Sequence, residues 1–466
     1  MSDEDGATDD GMESSDAETF EAVTRQVLER VTPAETERAR LEAVADELSA
    51  RAEQAATQRC PDADVMQVGS SARDTWISGD RDIDVFVRFP PSIDRDRLET
   101  YGLEVGHAVL PAGHEEYAEH PYVKGTHDGF DVDLVPCYRL ADATDIRSAV
   151  DRTPFHNRYL EARLDDDLVD GVRLAKQFLK GIGVYGSDLR TEGFSGYLTE
   201  LLVVTYGGFE SLLEAAADWQ PPVELDPEDH GQATFDDPLI FIDPTDPERN
   251  VAAVCSAENV ARLQHYARRL LEDPHLEYFE PDDPAPLTPA ELEAHLERRS
   301  TTTIALRFDA PDIVDDQLYP QLQKSLGGIV NGLESRGFEV FRVDAFARES
   351  AIIFLELSVS RLPAVVRHQG PPVHVRTHAE GFYRAYADDD GVDGPFLDGD
   401  RYVVERPREF TTASEFLESE AIFEVGLGSH IETALEDGYE VQHGREVREL
   451  LEEFGSPLRR YFEPKP

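Results

Sequence analysis

Two short segments limit what this chain can become. Gly69-Ser70-Ser71-Ala72-Arg73 is a run of small residues, and Asp82-Ile83-Asp84-Val85-Phe86-Val87 follows it closely. Alternate side chains of a strand share a face, so Asp82, Asp84 and Phe86 point one way while Ile83, Val85 and Val87 point into a core. Phe130-Asp131-Val132-Asp133-Leu134-Val135-Pro136 alternates in the same manner and is ended by its proline. Carboxylates packed side by side are costly unless paired, and a divalent cation is the usual remedy. The small-residue turn offers backbone N–H groups to a polyphosphate. Two acids on one strand and one on another, after such a turn, form the kind of site in which two metal ions clamp an in-line displacement. An acidic solvent face on an edge strand is the competing reading, but such a face would mix Thr, Lys and Glu. The pattern alone does not choose between Asp131 and Asp133, which share a face.

With 466 residues the chain is long enough for several cores, and its net charge of −52 is extreme. Lys124, Lys176, Lys180, Lys324 and Lys465 are its lysines, and every other basic residue except histidine is arginine. So much like charge opposes compaction at ordinary ionic strength, whereas molar salt shortens the screening length to about 3 Å. The charge is spread along the chain rather than gathered in a tail, which argues against an acidic decoy. A cytoplasmic protein of a halophile is expected. Cys60, Cys137 and Cys255 are odd in number and widely spaced, so neither a disulfide framework nor a zinc site is indicated. No apolar run reaches the length of a membrane span, and no membrane partner is expected. The acidic, polar start is unlike a signal peptide and reads as a disordered tail over 1–17.

Helical periodicity begins with Val23, Val27 and Val31, breaks at Pro33, and resumes with Leu41, Val44, Ala45 and Leu48. Alternating strands and one helix then run to about Tyr138, an α+β unit over 18–150. Residues 151–290 read as helical, with stripes Leu168, Val172, Ala175, Leu179 and Leu198, Leu201, Leu202, Thr205, Phe209. The stretch from Pro281 to Pro289 is a proline-rich linker or turn. Residues 291–400 show a β-α-β-β order (Thr301 to Phe308, Leu318 to Leu333, Phe338 to Val343, Ile352 to Leu357), like an RNA-recognition module in outline but without its aromatic stacking signature. The last part, 401–466, reads as a mostly helical tail.

Gly181-Ile182-Gly183-Val184-Tyr185-Gly186 matches a dinucleotide-binding pattern but leaves a helix instead of a strand, so it reads as a helix C-terminal turn. Arg173, Lys176 and Lys180 recur on one face of that helix, and lysines retained in so acidic a chain suggest phosphate contact. A helix C-terminus favours cations in any case, which accounts for Lys180 better than Lys176. Thr153-Pro154-Phe155-His156 reads on pattern alone as a helix start with Thr153 as cap. His368, His374 and His378 suggest a metal by type, but strand-like surroundings do not put all three on one face, and no acid partner is specified.

With these pieces placed, the chain resembles the archaeal class I CCA-adding enzymes, tRNA nucleotidyltransferases of the polymerase-beta-like superfamily. The resemblance runs from Gly69-Ser70 through Asp84-Val85-Phe86, then Ala118-Glu119-His120-Pro121-Tyr122-Val123, Val132-Asp133-Leu134-Val135-Pro136-Cys137-Tyr138 and Arg152-Thr153-Pro154-Phe155-His156. It continues through Phe194-Ser195-Gly196-Tyr197-Leu198-Thr199-Glu200, Asp243-Pro244 and Arg249-Asn250-Val251-Ala252-Ala253. The C-terminal third agrees mainly in length and order of elements. The resemblance implies a nucleotidyltransferase head, a helical neck, an RNA-recognition-like α+β body and a tail. It implies Ser70 and Arg73 on a triphosphate, Asp82, Asp84 and Asp133 as catalytic Mg²⁺ ligands, His156, Lys176 and Tyr185 completing the nucleotide site, and Arg249 facing the base. It thereby selects Asp133 over Asp131 and gives His156 a role beyond a helix start. Asp82 stands where the family commonly has Glu, and the shorter side chain still reaches a metal.

The implied reaction adds C, C and A to the 3′ end of tRNA from CTP and ATP without a template. The partners implied are the tRNA acceptor end and the two nucleotides, with a homodimer left open. A poly(A) polymerase or other nucleotidyltransferase on the same head is the alternative enzyme, and a catalytically silent RNA-binding relative the alternative of another class. The intact acids and glycine turn count against the last.

Overall fold

The acid-bearing strands lie side by side at the centre of one sheet. The structure, a computed structural model, describes residues 19–117, 119–231 and 234–466, so the tail expected over 1–17 lies outside the described residues except as sequence. The chain divides at Asp282/Asp283, within the proline-rich stretch, into two compact units.

The first unit runs α1 (Phe20–Val31), α2 (Glu35–Arg59), β1 (Asp64–Val68), α3 (Gly69–Ala72), β2 (Asp82–Phe89), α4 (Arg95–Val109), β3 (His114–Tyr117), β4 (Pro121–His127) and β5 (Phe130–Tyr138). It continues through α5 (Thr153–Glu161), α6 (Asp166–Gly181), α7 (Gly196–Tyr206), α8 (Phe209–Ala217), β6 (Val223–Leu225), β7 (Leu239–Asp243), β8 (Asp246–Asn250) and α9 (Ala257–Glu272). Thr19 caps α1 by accepting from the Ala22 N–H. Thr153 is already helical rather than a cap, because a 3-10 turn over Ala149–Arg152 runs straight into α5.

The sheet has the order β1-β2-β5-β4-β3, with only β2 and β5 parallel. Ile83, Val85 and Val87 are buried with Val132 and Leu134 against Leu41, Val44 and Leu48 of α2. The opposite face is not polar throughout. Phe86 is buried there with Val68, Val135 and Cys137, which leaves the carboxylates at the amino-terminal ends of β2 and β5. A second core gathers Val23, Val27 and Val31 of α1 with Val172, Ala175 and Leu179 of α6 and Leu198, Leu201 and Leu202 of α7. The amphipathic stripe of α1 thus buries against the helices that follow the sheet rather than against the sheet.

The second unit comprises α10 (Pro289–Arg299), β9 (Thr302–Asp309), α11 (Asp315–Ser335), β10 (Glu339–Ala347), β11 (Ser350–Val359), β12 (Val365–Pro372), α12 (Arg376–Tyr386), β13 (Asp393–Asp398), β14 (Arg401–Pro407), α13 (Ala413–Leu417), α14 (Ser429–Asp437), β15 (Tyr439–His443) and α15 (Leu451–Phe462). The β-α-β-β order appears as β9, α11, β10 and β11, in a sheet ordered β10-β11-β9-β15. Its fourth strand, β15, comes from the stretch read as mostly helical. Five residues too short for a clear period of two gain their conformation from pairing with β9. Neither the separate three-stranded sheet β12-β14-β13 nor the sheet β6-β7-β8, which lies within the stretch read as helical, is expected from the sequence. His378 sits on α12 rather than in strand-like surroundings, and His368 packs its ring on Phe382 and Tyr386. Among the described residues no three His, Cys, Asp or Glu side chains are gathered at metal-binding separation. All three cysteines are free and buried.

Candidate active site

β2 and β5 run parallel in the register Asp82↔Asp131 and Asp84↔Asp133, so the four carboxylates form two rungs on one face. The rungs differ in environment. Asp82 and Asp131 are exposed at the sheet's end, while Asp84 and Asp133 are partly buried. Burial, reinforced by Asp133 and then Asp82, pushes the Asp84 carboxyl up to about 7. Burial also raises Asp133, but Lys124 of β4 lies 3.5 Å from its Oδ1 and opposes that shift. Asp82, though exposed at its edge, is raised by partial burial and by the neighbouring Asp80 and Asp131 carboxylates. Three acids therefore share a site in which ionising all of them is disfavoured, and among the described residues only Lys124 forms an ion pair with one.

The turn before them is shaped around Asp84. Gly69 has φ +80°, a left-handed backbone that favours glycine, and a Cβ there would collide with the Asp84 carboxylate. Ser70 follows in the single helical turn of α3, its hydroxyl without a partner among the described residues. Its carbonyl accepts from the Thr75 N–H at 3.1 Å, closing the loop toward β2.

Arg73 does not point into solution. Its Nη2 pairs with Glu200 Oε2 of α7 at 2.6 Å, and its Nη1 donates to Asn157 Oδ1 of α5. Thr75 donates its hydroxyl to the other Glu200 oxygen. Lys176 is buried on α6, and its ammonium donates to the Thr75 carbonyl at 3.0 Å, with burial lowering its pKa. The neighbours on its face are likewise engaged: Arg173 pairs with Asp74 at 3.0 Å and Asp170 at 2.8 Å, and Lys180 with Asp80 at 3.0 Å. That face is thus not a row of unattached cations. It grips the loop between α3 and β2. Tyr185, just beyond α6, bridges to Phe194 and lies under the Lys180 ammonium at 5.3 Å.

His156 and Arg249 meet elsewhere, at Asp243. His156 Nε2 lies 2.9 Å and Arg249 Nη1 2.7 Å from Asp243 Oδ2. Arg249 is therefore not paired with its neighbours Asp246 or Glu248, and Asp246 is taken by Arg152 at 2.8 Å. α5 links the two groups, since His156 faces Asp243 and the next residue, Asn157, faces Arg73.

Glu200, Tyr197 and Asp243 lie within the resembling motifs but have no role assigned by the sequence, and neither do Lys124 and Asp80. Glu200 carried a signal that was available: a carboxylate between Leu198 and Leu201-Leu202, on a helix apolar almost all round, must be paired to be buried. The others become visible only when distant segments pack together.

Comparison with known proteins places the chain in a family. Family models match over residues 49–156 (nucleotidyltransferase domain), 170–280 (tRNA nucleotidyltransferase, second domain) and 299–444 (CCA-adding enzyme, C-terminal domain). The CCA-adding enzyme of Haloarcula marismortui is 60% identical over 462 residues, covering 96% of this chain and 99% of the relative. That of Methanosarcina mazei is 41% identical over 446 residues, covering 94% and 97%. Among solved structures, a cytoplasmic RNA terminal U-transferase is similar with TM-score 0.44 at 17% identity, covering 57% of this chain and 99% of that one. Sequence identity of this extent along nearly the whole length, together with the three matched domains, shows that the chain belongs to the CCA-adding enzyme family.

Proposed function

We propose that this protein adds C, C and A to the 3′ end of tRNA, using CTP and ATP, releasing pyrophosphate and needing no template. The observation that carries this is the full-length likeness to CCA-adding enzymes combined with the paired acid rungs beside the Gly69 turn. A cytoplasmic location is part of this reading, and no described helix is long and apolar enough to cross a membrane.

The donor types suit a divalent cation, since all three groups are oxygen donors and crowding and burial leave Asp84 hard to ionise without added positive charge, but the carboxylates are not drawn together at ligating separation. Asp82, Asp84 and Asp133 would hold Mg²⁺, which supplies acidification of the terminal 3′-hydroxyl and neutralisation of the departing pyrophosphate. The protein's own residues do the rest. Gly69 keeps the turn close to Asp84, so the phosphates bound by Ser70 and neighbouring backbone N–H groups lie next to the acids. Arg73, held by Glu200 and Asn157, sets a fixed positive charge along that turn. Lys176 braces the loop carrying them, and Tyr185 walls the same side. Arg249, with part of its planar fork free, addresses acceptors on the edge of cytosine or adenine, beside His156. Residues 18–150, 151–290, 291–400 and 401–466 would serve as head, neck, body and tail in this scheme, with β14 and β15 of the last segment paired to strands of the third.

The test is product sequencing after purified protein meets tRNA ending at the discriminator base, with CTP, ATP, Mg²⁺ and molar KCl. A CCA end is expected. A homopolymer of A from ATP alone, or no extension in any salt, would overturn the reading.

A further inference from the structure

Asp243, at the end of β7, is completely buried, and its two oxygens have separate duties. Oδ1 accepts from the backbone N–H and the hydroxyl of Thr245, both at 2.9 Å, and the Tyr197 hydroxyl lies 3.5 Å away. These bonds tie the carboxylate to the tight turn between β7 and β8, so it cannot rotate without breaking the turn. Oδ2 is thereby aimed at two groups from different elements, His156 of α5 and Arg249 of β8.

We propose that Asp243 is the positioning residue for base selection, orienting the Arg249 guanidinium and fixing the His156 tautomer without itself touching the nucleotide. The inference rests on the reading above, in which Arg249 faces the base and His156 completes the nucleotide site. A carboxylate only accepts, so His156 Nε2 must carry the proton, and the neutral ring keeps Nδ1 as a bare acceptor. Burial lowers the His156 pKa despite its bond to Asp243, which keeps the ring neutral. The ring is also held in plane, stacked on Tyr197 with centroids 4.0 Å apart and 18° between planes. One end of the Arg249 fork is pinned at 2.7 Å while the side chain remains 37% exposed, so its remaining N–H groups keep a set direction toward an incoming base. Burial would favour a protonated Asp243, but bonds from His156, Thr245 and Arg249 hold its carboxyl well below the usual range. The clamp therefore stays charged at any pH at which the enzyme works.

Four variants probe this in the full-length protein, with steady-state incorporation of CMP and AMP into tRNA lacking its end. Asp243→Asn leaves one acceptor oxygen for two sets of donors. It should raise KM for CTP and ATP about ten-fold and increase UTP and GTP misincorporation about ten-fold, with kcat for correct nucleotides within about three-fold. Thr245→Val removes only the hydroxyl anchor and should move selectivity the same way by a smaller factor, which keeps the test open if the Asn variant does not fold. Adding Arg249→Ala to Asp243→Asn should change selectivity little further, because the two act as a unit. If Arg249→Ala shifts nucleotide preference but neither Asp243→Asn nor Thr245→Val does, or if the double variant is additive, the positioning role is overturned. If Arg249→Ala itself leaves preference unchanged, it is the underlying reading of the base site that fails.

Discussion

Arg73 and Glu200 form a buried ion pair at 2.6 Å, their side chains 7% and 1% exposed, joining the loop after the glycine turn to helix α7. Thr75 donates to the same carboxylate and Lys176 to the Thr75 carbonyl, so one acid organises the loop that leads into the catalytic strand. Removing one partner of such a pair strands the other charge away from water.

Glu200→Ala should therefore destabilise the protein by about 3–5 kcal/mol. Glu200→Gln, which keeps the hydrogen-bonding shape, should cost less but still raise KM for both nucleotides through Arg73. Thermal unfolding in molar KCl with parallel kinetics checks this. An Ala variant as stable as wild type would show that Arg73 finds another partner.

The two acid rungs should differ sharply in importance. Asn at Asp82, Asp84 or Asp133 is expected to cost at least about three orders of magnitude in rate, equivalent to roughly 4 kcal/mol of transition-state stabilisation, with tRNA binding retained. Asp131, exposed and beside Asp82, should tolerate Asn with less than about a ten-fold loss. Single-turnover rates decide the matter, and equal losses at Asp131 and Asp133 would reverse the assignment.

Asp84 makes metal-free stability depend on pH in a definite direction. Its folded pKa of about 7 lies above the unfolded value near 4. Between these the folded chain holds a proton that the unfolded chain has lost, so this contribution is fully present below about pH 4, falls as pH rises, and is flat above about pH 7. Asp84→Asn removes its share of the dependence, leaving that of Asp82 and Asp133, whose carboxyls are also raised. In EDTA and molar KCl it should raise the melting temperature at pH 8, with the gain shrinking toward pH 5. A gain independent of pH would rule out titration of Asp84 as its source.

The charge of −52 should make folding salt-dependent, since self-repulsion is screened only when the Debye length falls to a few Å, about 3 Å at 1 M. The thermal midpoint is expected to climb steeply between dilute buffer and 2 M KCl. A midpoint that is flat or falls across that range would contradict the halophilic reading.

The acid face and the limits of several helices were legible because they depend on local periodicity. A period of two places Ile83 and Val85 opposite Asp82 and Asp84 whatever the strand pairs with, and the glycine-rich end of α6 stops the helix by itself. Proposed identities for the site residues came from motif resemblance, which likewise reads neighbouring residues. Partners did not come that way. That β5 lies parallel to β2 with Asp133 beside Asp84, that Lys176 is spent on the Thr75 carbonyl, and that Arg249 bonds Asp243 rather than its immediate neighbours were decided by packing. The short strand β15 was missed for the same reason, having little pattern of its own and a conformation supplied by β9. The sequence by itself determined which residue types face together along each element. Only the tertiary structure decided which elements meet, because strand register and the partners of buried charges depend on burying apolar faces contributed by segments far apart in the chain.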